Sequence, residues 1–343
     1  MNKKELRNTI DVSIIVPCYN EEKTIQLLLH AILAQDYPVE RMEVVIADAQ
    51  SQDLTREMVN SFMDEHPSLK VRVIENIKRT IPAAVNLAAS NSDGKYLIRL
   101  DAHSIPDCTY VSNCLRLLDK GIAQNVGGVW DILPGDRSCI AIAIAKAASH
   151  PVGAGDAKYR LDSNAGFVDT VPFGSYLKST FMNLGGFNEK MLANEDYEFN
   201  ARIREFGGKI WLDPSIRSKY FARKNIKELA SQYWRYGYWK FKMLRSFPQT
   251  LRWRQAIPPI FCLTIYLLGI LSIFNHFARI ILGTLLFSYL LFLSFFSLLE
   301  SVKQKEICCL QMVAAFMVIH FSWGSGFIFS LIKGNRESYK HLD

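Results

Sequence analysis

Three long apolar runs near the end of the chain constrain its fold more than any other feature of the sequence. They cover residues 256–274, 277–299 and 307–332, and each is close to the roughly 20 residues that a helix needs to cross a bilayer. The third run also contains His320 and several small or polar residues, so it is expected to cross the bilayer, to re-enter it or to pack inside a helical bundle. The sequence therefore predicts a region of two to three transmembrane helices over residues 256–343.

The positive charge of the chain is concentrated directly before the first apolar run. The formal net charge is +7, and residues 217–254 alone hold eleven Lys or Arg against one acid, Glu228. Aromatic residues such as Tyr233 and Trp234 are interspersed with these cations, as they also are in nucleic-acid-binding segments. The adjoining apolar run instead favours an interfacial belt on anionic headgroups. Residues 217–255 are therefore predicted to form basic aromatic interfacial helices at the cell membrane, with no nucleic-acid partner.

Residues 1–216 have the composition of a soluble domain, in which short apolar runs alternate with segments of helical periodicity. The predicted strands cover residues 12–16, 42–47, 71–75 and 96–100. Strands that alternate with helices predict an α/β fold with a doubly wound, mostly parallel sheet and helices on both faces, which binds ligands beyond the carboxyl ends of the strands. Residues 1–10 lack the apolar core of a signal peptide, so this domain is expected on the cytosolic side of a multi-pass or hairpin-anchored protein.

Polar side chains follow three of the predicted strands. Glu21 comes after the first strand, Asp48 after the second, and Asp101 with His103 after the fourth. A carboxylate and an imidazole two positions apart can share a divalent cation, and mixed oxygen and nitrogen donors suit Mn²⁺ more readily than Mg²⁺. A turn in which Asp101 only bonds backbone amides is the alternative. The position at a strand end favours a metal site, with Mn²⁺ or Mg²⁺ as the cofactor.

Two further clusters have residue types that suit group transfer. Glu195 and Asp196 open a predicted helix that runs through Arg204, and acids in the first turn also stabilise a helix dipole. The catalytic explanation of this pair is that Asp196 takes a proton from an acceptor hydroxyl, while Glu195 positions Asp196 or the transferred group. Gln232 and Arg235 lie in the basic aromatic stretch, which an interfacial anchor largely explains, although Arg235 can also pair with a diphosphate.

At five places the sequence resembles the family 2 inverting glycosyltransferases. These places are the segment 13–21, the turn at Asp48, the segment 99–103, the Gly-Gly-Phe triplet at 185–187 and the acidic segment 194–196. The resemblance is closest to the succinoglycan-biosynthesis glucosyltransferase type and covers residues 12–259. It implies a GT-A-like fold followed by C-terminal transmembrane helices, a nucleotide-sugar donor, for which a UDP-hexose is expected, and a divalent metal.

The resemblance also implies roles for individual residues. The nucleotide is expected to contact Pro17, Tyr19, Glu21, Asp48 and Arg79, with Asp48 at the base. The other expected roles are the metal site for Asp101 and His103, catalysis for Asp196 and Glu195, and diphosphate or acceptor contacts for Gln232 and Arg235. Two residues depart from the common family motifs: His103 replaces a second aspartate, and Tyr236 replaces the tryptophan of processive synthases. Because few spans are predicted, addition of single sugars is expected.

The acceptor is expected to be a lipid-linked or growing saccharide in exopolysaccharide or cell-surface glycan synthesis. Polysaccharide-assembly proteins are the further expected partners, and residues 153–175 are either an acceptor-side loop or an ordinary surface loop. Three alternatives remain open at this point: a polyprenyl-phosphate sugar synthase, a nucleotidyltransferase, and a membrane protein that binds nucleotide sugar without catalysis.

Overall fold

The computed structural model of the protein describes residues 9–161, 163–303 and 308–334. The chain forms two compact units. The first unit, which we call the sheet unit, comprises Met1–Leu133 and Ala157–Phe221. The second, which we call the helical unit, comprises Pro134–Asp156 and Ala222–Asp343.

The sheet unit is built on a mixed sheet of nine strands among the described residues. In chain order these strands are β1 (Val12–Cys18), β2 (Met42–Asp48), β3 (Lys70–Glu75), β4 (Tyr96–Arg99), β5 (Ser104–Pro106), β6 (Asn125–Leu133), β7 (Gly166–Phe167), β8 (Ser175–Leu177) and β9 (Ile210–Phe221). Their order across the sheet is β3-β2-β1-β4-β8-β6-β9-β5, and β7 pairs with β9. The four strands β1 to β4 are mutually parallel, which confirms the predicted α/β fold. The other half is mixed because β8 runs antiparallel to β4 and β6.

The described residues also form twelve α-helices. In chain order they are α1 (Ile25–Leu33), α2 (Thr55–Glu65), α3 (Ile81–Ser90), α4 (Tyr110–Asp119), α5 (Cys139–Ala148), α6 (Pro151–Ala154), α7 (Lys178–Asn183), α8 (Glu195–Glu205), α9 (Ile226–Ser246), α10 (Trp253–Leu271), α11 (His276–Lys303) and α12 (Cys309–Lys333). Helices α1 to α4, α7 and α8 belong to the sheet unit, and the other six belong to the helical unit.

Helices cover both faces of the sheet. Alternate side chains of a strand point to opposite faces, so Ile14 and Val16 of β1 join a core with α1, α2 and α4. Ile15 joins a second core with α3 and α8. Every residue of β2 is buried, as expected for a strand covered on both sides. Polar side chains are therefore found where the strands end.

Each predicted apolar run coincides largely with one helix of the helical unit, although the first run extends past the end of α10 and residue 307 of the third run lies outside the described residues. Helices α10, α11 and α12 are long and apolar enough to cross a membrane. Helix α9 packs closely on α12, because Gly237 and Gly326 have no side chains. A Cβ atom at Gly237 would lie 2.0 Å from the carbonyl oxygen of Trp323, and one at Gly326 would lie 2.2 Å from that of Trp234. Such contacts through small residues are typical of membrane helix pairs.

Two segments lie elsewhere than the sequence analysis assigned them. Helices α5 and α6, assigned to the domain 1–216, belong to the helical unit, where Lys146 of α5 pairs with Glu300 of α11 at 2.8 Å. Helix α5 is rich in alanine and isoleucine, and packs on α12. Residues 217–221, assigned to the interfacial helices, form the end of β9, because the alternating pattern of that segment fits strand pairing with β6.

Candidate active site

The carboxyl ends of β1, β2 and β4 lie at one edge of the sheet, since these strands are parallel neighbours. Asp48 is the last residue of β2, and its side chain is buried. Its carboxylate accepts hydrogen bonds from the Ser51 hydroxyl at 2.5 Å and from Arg56 Nε at 2.5 Å. The Ser51 hydroxyl also accepts from the amide of Asn20 at 2.9 Å. The loop after β1 and the turn after β2 are thus held together around a buried carboxylate.

Glu21 and His103 meet at the same edge. Nδ1 of His103 lies 3.0 Å from Oε1 of Glu21. Oε2 of Glu21 accepts from the Thr24 hydroxyl at 2.5 Å, and the Glu21 amide donates to the Thr55 hydroxyl at 2.7 Å. These bonds fix the carboxylate of Glu21 and, through it, the ring of His103. A carboxylate on one ring nitrogen is the usual way in which proteins orient an imidazole whose other nitrogen binds a metal.

Arg99, the last residue of β4, joins two of the predicted carboxylates. Its Nε donates to Oδ1 of Asp101 at 3.0 Å, and its Nη1 donates to Oε1 of Glu195 at 2.9 Å. The side chains of Arg99 and Glu195 are both 8% exposed, so this ion pair is desolvated. Both carboxylates are among the residues predicted from the sequence, whereas Arg99 is not. The only signal for it was its place in the segment 99–103.

Asp196 lies beside Glu195 in the first turn of α8. Burial raises the pKa of Asp196 to about 6, the charge of Glu195 adds to this rise, and the charge of Arg99 opposes it. Oδ1 of Asp196 accepts a hydrogen bond from the Tyr197 amide at 2.7 Å. A carboxylate whose pKa is close to neutrality is suited to take a proton from a hydroxyl group.

Buried polar side chains hold α8 against the sheet. Nδ2 of Asn125 in β6 donates to Oδ1 of Asn200 in α8 at 2.7 Å. Nδ2 of Asn200 donates to the Thr170 hydroxyl at 2.9 Å, and the Tyr197 hydroxyl donates to Asp169 at 2.5 Å. Because buried amides need hydrogen-bond partners, these contacts specify one position of the helix and of the acid pair at its start.

An aromatic cluster that the sequence analysis did not identify borders His103. The rings of Trp130 and Tyr220 stack nearly parallel with centroids 4.2 Å apart, and the Tyr220 ring lies 6.2 Å from that of His103. The guanidinium of Arg160 lies over the Trp130 ring at 5.1 Å, which is a cation–π contact. No motif marks this cluster, because its members come from β6, β9 and the turn at Lys158–Arg160.

Three of the predicted nucleotide contacts lie close to Asp48 or at the end of β1. Arg79 donates from Nε to Oε1 of Gln50 at 2.9 Å, and Gln50 lies in the turn that follows Asp48. Pro17 is part of β1, and Tyr19 follows the strand with 48% of its surface exposed. An exposed aromatic ring at this edge is available to stack on a base.

The remaining two predicted contacts belong to the helical unit. Gln232 and Arg235 lie in α9 of the helical unit, where Nε2 of Gln232 donates to the Tyr236 hydroxyl at 3.0 Å. Their role at a diphosphate or an acceptor stays a prediction. The predicted acceptor-side segment 153–175 is divided between the two units at Ala157.

The donor set at this edge fits a divalent cation that a bound diphosphate also ligates. Among the residues that the structure describes, no three His, Cys, Asp or Glu side chains form a metal cluster. Asp101 and His103 offer one carboxylate and one imidazole, with 22% and 31% of their side chains exposed. Cations at phosphate sites commonly take one or two protein ligands and complete their shell with phosphate and water oxygens. Two partly exposed donors of this kind fit such a site.

Comparison with known proteins adds family relationships to this geometry. The sequence profile of the family described as Glycosyl transferase family 2 matches residues 13–148. A dolichyl N-acetyl-α-D-glucosaminyl phosphate 3-β-D-2,3-diacetamido-2,3-dideoxy-β-D-glucuronosyltransferase of Methanococcus voltae is 27% identical, over 94% of this chain and 98% of that protein. The succinoglycan biosynthesis protein ExoA of Rhizobium meliloti is 29% identical, over 95% of this chain and 96% of that protein.

Similarity to a solved structure supports the fold. A mannosyltransferase from Pyrobaculum calidifontis, solved in complex with GDP-Man and Mn²⁺, superposes with a TM-score of 0.63 and 18% identity. The match covers 92% of this chain and 87% of the mannosyltransferase. The sheet and its helices therefore have the GT-A-like architecture that the resemblance implied.

Proposed function

We propose that this chain, whose residues 13–148 match glycosyl transferase family 2, is a membrane-anchored inverting enzyme that transfers a hexose from a UDP-sugar to a lipid-linked or growing saccharide. The proposed setting is exopolysaccharide or cell-surface glycan synthesis, with the sheet unit on the cytosolic side. One observation carries the proposal. Arg99 donates hydrogen bonds both to Asp101, one of the two strand-end donors, and to Glu195, the neighbour of Asp196, whose pKa is close to neutrality.

Recognition of the donor is proposed to begin at Asp48. A buried carboxylate in a fixed position accepts a hydrogen bond from the imide N–H of uracil, which the amino-bearing edge of cytosine lacks. Tyr19 and Arg79 flank this position and are proposed to contact the base, the ribose or the diphosphate. The bonds from Ser51 and Arg56 support this role, because they keep the Asp48 carboxylate in one orientation.

Asp101 and His103 are the residues proposed to hold the divalent cation. The cation, when bound, neutralises charge that develops on the diphosphate leaving group. The protein contributes the orientation of these ligands: Glu21 holds the His103 ring, and Arg99 holds the Asp101 carboxylate.

Asp196 is proposed as the base. The acceptor oxygen forms a bond to the anomeric carbon while the bond from that carbon to the diphosphate breaks, and the hydroxyl proton passes to Asp196. Displacement from the opposite face inverts the configuration of the anomeric carbon. A pKa of about 6 leaves most of the carboxylate ionised at neutral pH and still basic enough to accept the proton.

The proposed acceptor and anchor follow from the relatives and from the helical unit. The name of the Methanococcus voltae relative includes a dolichyl-linked sugar phosphate, and that of the Rhizobium meliloti relative includes succinoglycan, a polysaccharide. Three helices in the part of the chain that the structure describes are long and apolar enough to cross a membrane. The basic aromatic helix α9 precedes them, which is consistent with a cytosolic interface. Assembly proteins that hand on the product are proposed as partners.

The enzyme can be tested with defined donors and acceptors. The full chain is purified in detergent, and UDP release is measured with a panel of UDP-sugars, Mn²⁺ or Mg²⁺, and two synthetic acceptors. One acceptor is a polyprenyl-diphosphate-linked sugar, and the other is the corresponding polyprenyl phosphate. Wild type is compared with Asp101→Ala, Asp196→Asn and the matched control Asp213→Asn, which changes an aspartate of β9 outside the site.

We expect metal-dependent turnover of one UDP-sugar with the saccharide acceptor, and inversion at the anomeric carbon of the product. Turnover should be lost in the Asp101 and Asp196 variants only. Turnover with polyprenyl phosphate that survives Asp196→Asn would identify a polyprenyl-phosphate sugar synthase instead, because a phosphate acceptor needs no base. Tight binding of UDP without turnover of any acceptor would support the non-catalytic alternative. Transfer of the nucleotide itself to the acceptor would identify a nucleotidyltransferase.

A further inference from the structure

Arg99 occupies a position where the pattern of the strand calls for an apolar residue. The other residues of β4, Tyr96, Leu97 and Ile98, are all buried, and Arg99 is buried with them. Its amide donates to the carbonyl of Gly174 at 3.1 Å, so the backbone of Arg99 is part of the sheet. An arginine is almost never fully buried unless its charge is paired. The reason for its presence therefore lies in its partners.

The guanidinium of Arg99 connects two carboxylates that lie far apart in the sequence. Nε bonds Asp101, two positions along the chain, and Nη1 bonds Glu195, at a separation of 96 positions. The guanidinium carbon also lies 5.6 Å from the centre of the Phe187 ring. Among side chains, only arginine has a rigid planar fork that can bond two acids in fixed directions at once.

The charge of Arg99 is secure in this environment. Burial alone would lower the pKa of the guanidinium, but the charges of Asp101, Glu195 and Asp196 outweigh burial, so the pKa of Arg99 is raised. Removal of Arg99 would therefore leave buried negative charge without its partner. Without it, the described part of the site keeps the three acids, and the ion pair that holds Glu195 in its buried position is lost.

We propose that Arg99 is a positioning residue for the transfer reaction, which holds the Asp101 carboxylate and the Glu195 carboxylate in fixed places and balances the charge beside Asp196. This inference rests on the proposed function, because it assigns Arg99 a part in setting up the site where Asp101 and Asp196 act. Arg99 itself touches neither the donor nor the acceptor in this role. It acts through the carboxylates of Asp101 and Glu195.

The charged and titratable groups that act on Asp196 come from three parts of the sheet unit. Glu195 on α8 and Asp101 after β4 raise the pKa of Asp196, and Arg99 at the end of β4 lowers it. Burial raises the pKa of the Tyr176 hydroxyl on β8, and the charge of Asp196 adds to this rise. Removal of the Arg99 charge therefore leaves Asp196 protonated to a higher pH, and a smaller fraction of the base is ionised at neutral pH.

The test separates the charge of Arg99 from its shape. The pH dependence of kcat and the KM for the UDP-sugar are measured for the full chain with Arg99→Met, which removes the charge, and with Arg99→Lys, which keeps the charge on one ammonium. An opposite charge within about 4–6 Å shifts a carboxyl pKa by about 1–3 units. Arg99→Met is therefore expected to move the acid limb of the pH profile of kcat upward by about one to three pH units. Starting from a pKa of about 6, an upward move of about one unit lowers kcat at pH 7 about twofold and one of about two units lowers it about tenfold, with recovery at alkaline pH.

Arg99→Lys is expected to leave the acid limb in place and to lower kcat at every pH, because one ammonium cannot hold both carboxylates in the directions of the fork. The matched control is Arg202→Met. Arg202 also lies in α8 and pairs with a carboxylate, Glu198, but it does so outside the site. This variant is expected to lower thermal stability and to leave the acid limb unchanged.

Two further variants distinguish failure of this inference from loss of folding and from failure of the proposed function. If Arg99→Met does not fold, the double variant Arg99→Met, Glu195→Gln is used, because it removes the buried charge of Glu195 that would otherwise be unpaired. The acid limb of the double variant is expected to return to the wild-type position or below. A limb that is unchanged in Arg99→Met, or a double variant whose limb stays high, would overturn the inference. If the wild-type limb persists in Asp196→Asn, the base is misassigned and the proposed function fails instead. The protonation of Asp196 can also be followed in the absence of metal and donor. For this, the pH dependence of the melting temperature is measured with and without Asp196→Asn.

Discussion

Asp196 makes the folded protein less stable at neutral pH than it would be with a neutral side chain there. Its pKa is raised from 3.8 to about 6, and one pKa unit corresponds to ~1.36 kcal/mol. Holding the ionised carboxylate in the folded state thus costs about 3 kcal/mol as an upper limit. Because the folded-state pKa is the higher one, this cost is complete above pH 7, diminishes as the pH falls through 6, and has disappeared below the pKa of the unfolded chain.

Asp196→Asn replaces the carboxylate by a neutral group of the same shape and removes the pH-dependent term. The melting temperature of the full chain in detergent is measured by intrinsic fluorescence at pH 8 and at pH 5, in wild type and variant. We expect the variant to melt several degrees higher at pH 8, since 1 kcal/mol corresponds to about 2–4 °C for a domain of ~200 residues. At pH 5 about half of this gain should remain, because the wild-type carboxyl is then mostly protonated.

The matched control is Asp213→Asn, for which the sign is opposite. Burial alone would raise the pKa of Asp213, but hydrogen bonds from the Ser215 hydroxyl and amide, at 2.7 and 2.9 Å, outweigh it, and the pKa is lowered. Asp213→Asn should therefore lower the melting temperature by the same amount at pH 8 and at pH 5. A gain for Asp196→Asn that is equal at both pH values would refute the reasoning, and so would any loss of stability at pH 8.

Three further perturbations test the site and the sheet. Asp48→Asn should raise the KM for the UDP-sugar with little change in kcat, because Asp48 is proposed to contact the base alone. Steady-state kinetics over a range of UDP-sugar concentrations measure both constants, and an effect confined to kcat would contradict this prediction. Glu21→Gln should weaken Mn²⁺ binding to the UDP-bound protein by about tenfold or more, measured by electron paramagnetic resonance, whereas the neighbouring Glu22→Gln should not. Gly128→Ala should destabilise the protein by about 1–3 kcal/mol or prevent folding, since a Cβ atom there would lie 1.6 Å from the carbonyl oxygen of Ile216, whereas Gly166→Ala, with open space, should be neutral in a melting experiment.

Local patterns in the sequence were sufficient to predict the first half of the sheet. The strands β1 to β4 and the helices between them have apolar runs and periodicities that depend on neighbouring residues only. The apolar runs that became α10 to α12 are equally local, because bilayer-length helices need a continuous apolar stretch. The resemblance at 13–21 and 99–103 then placed the ends of β1 and β4 in the site.

Features that depend on distant residues were not predictable in the same way. The antiparallel strand β8 inserts between β4 and β6, and its three residues alone give too short a pattern to be assigned. Helix α5 is apolar enough to suit either the sheet unit or the helical unit, and contacts such as Lys146 with Glu300 decide between them. Burial of Arg99 follows from Glu195, at a separation of 96 positions, and the Trp130 stack follows from the pairing of β6 with β9.

The structure also helps to decide between the two explanations of the acid pair at the start of α8. If Glu195 and Asp196 served only to stabilise the helix, the positive end of the helix dipole would be expected to lower the pKa of Asp196. Instead, burial and the Glu195 charge raise the pKa of Asp196, and the Asn194 side chain that precedes the helix makes no capping bond. Asp196 lowers the stability of the folded protein at neutral pH, and the buried Arg99 limits this loss. A catalytic role explains such a carboxylate better than helix formation does.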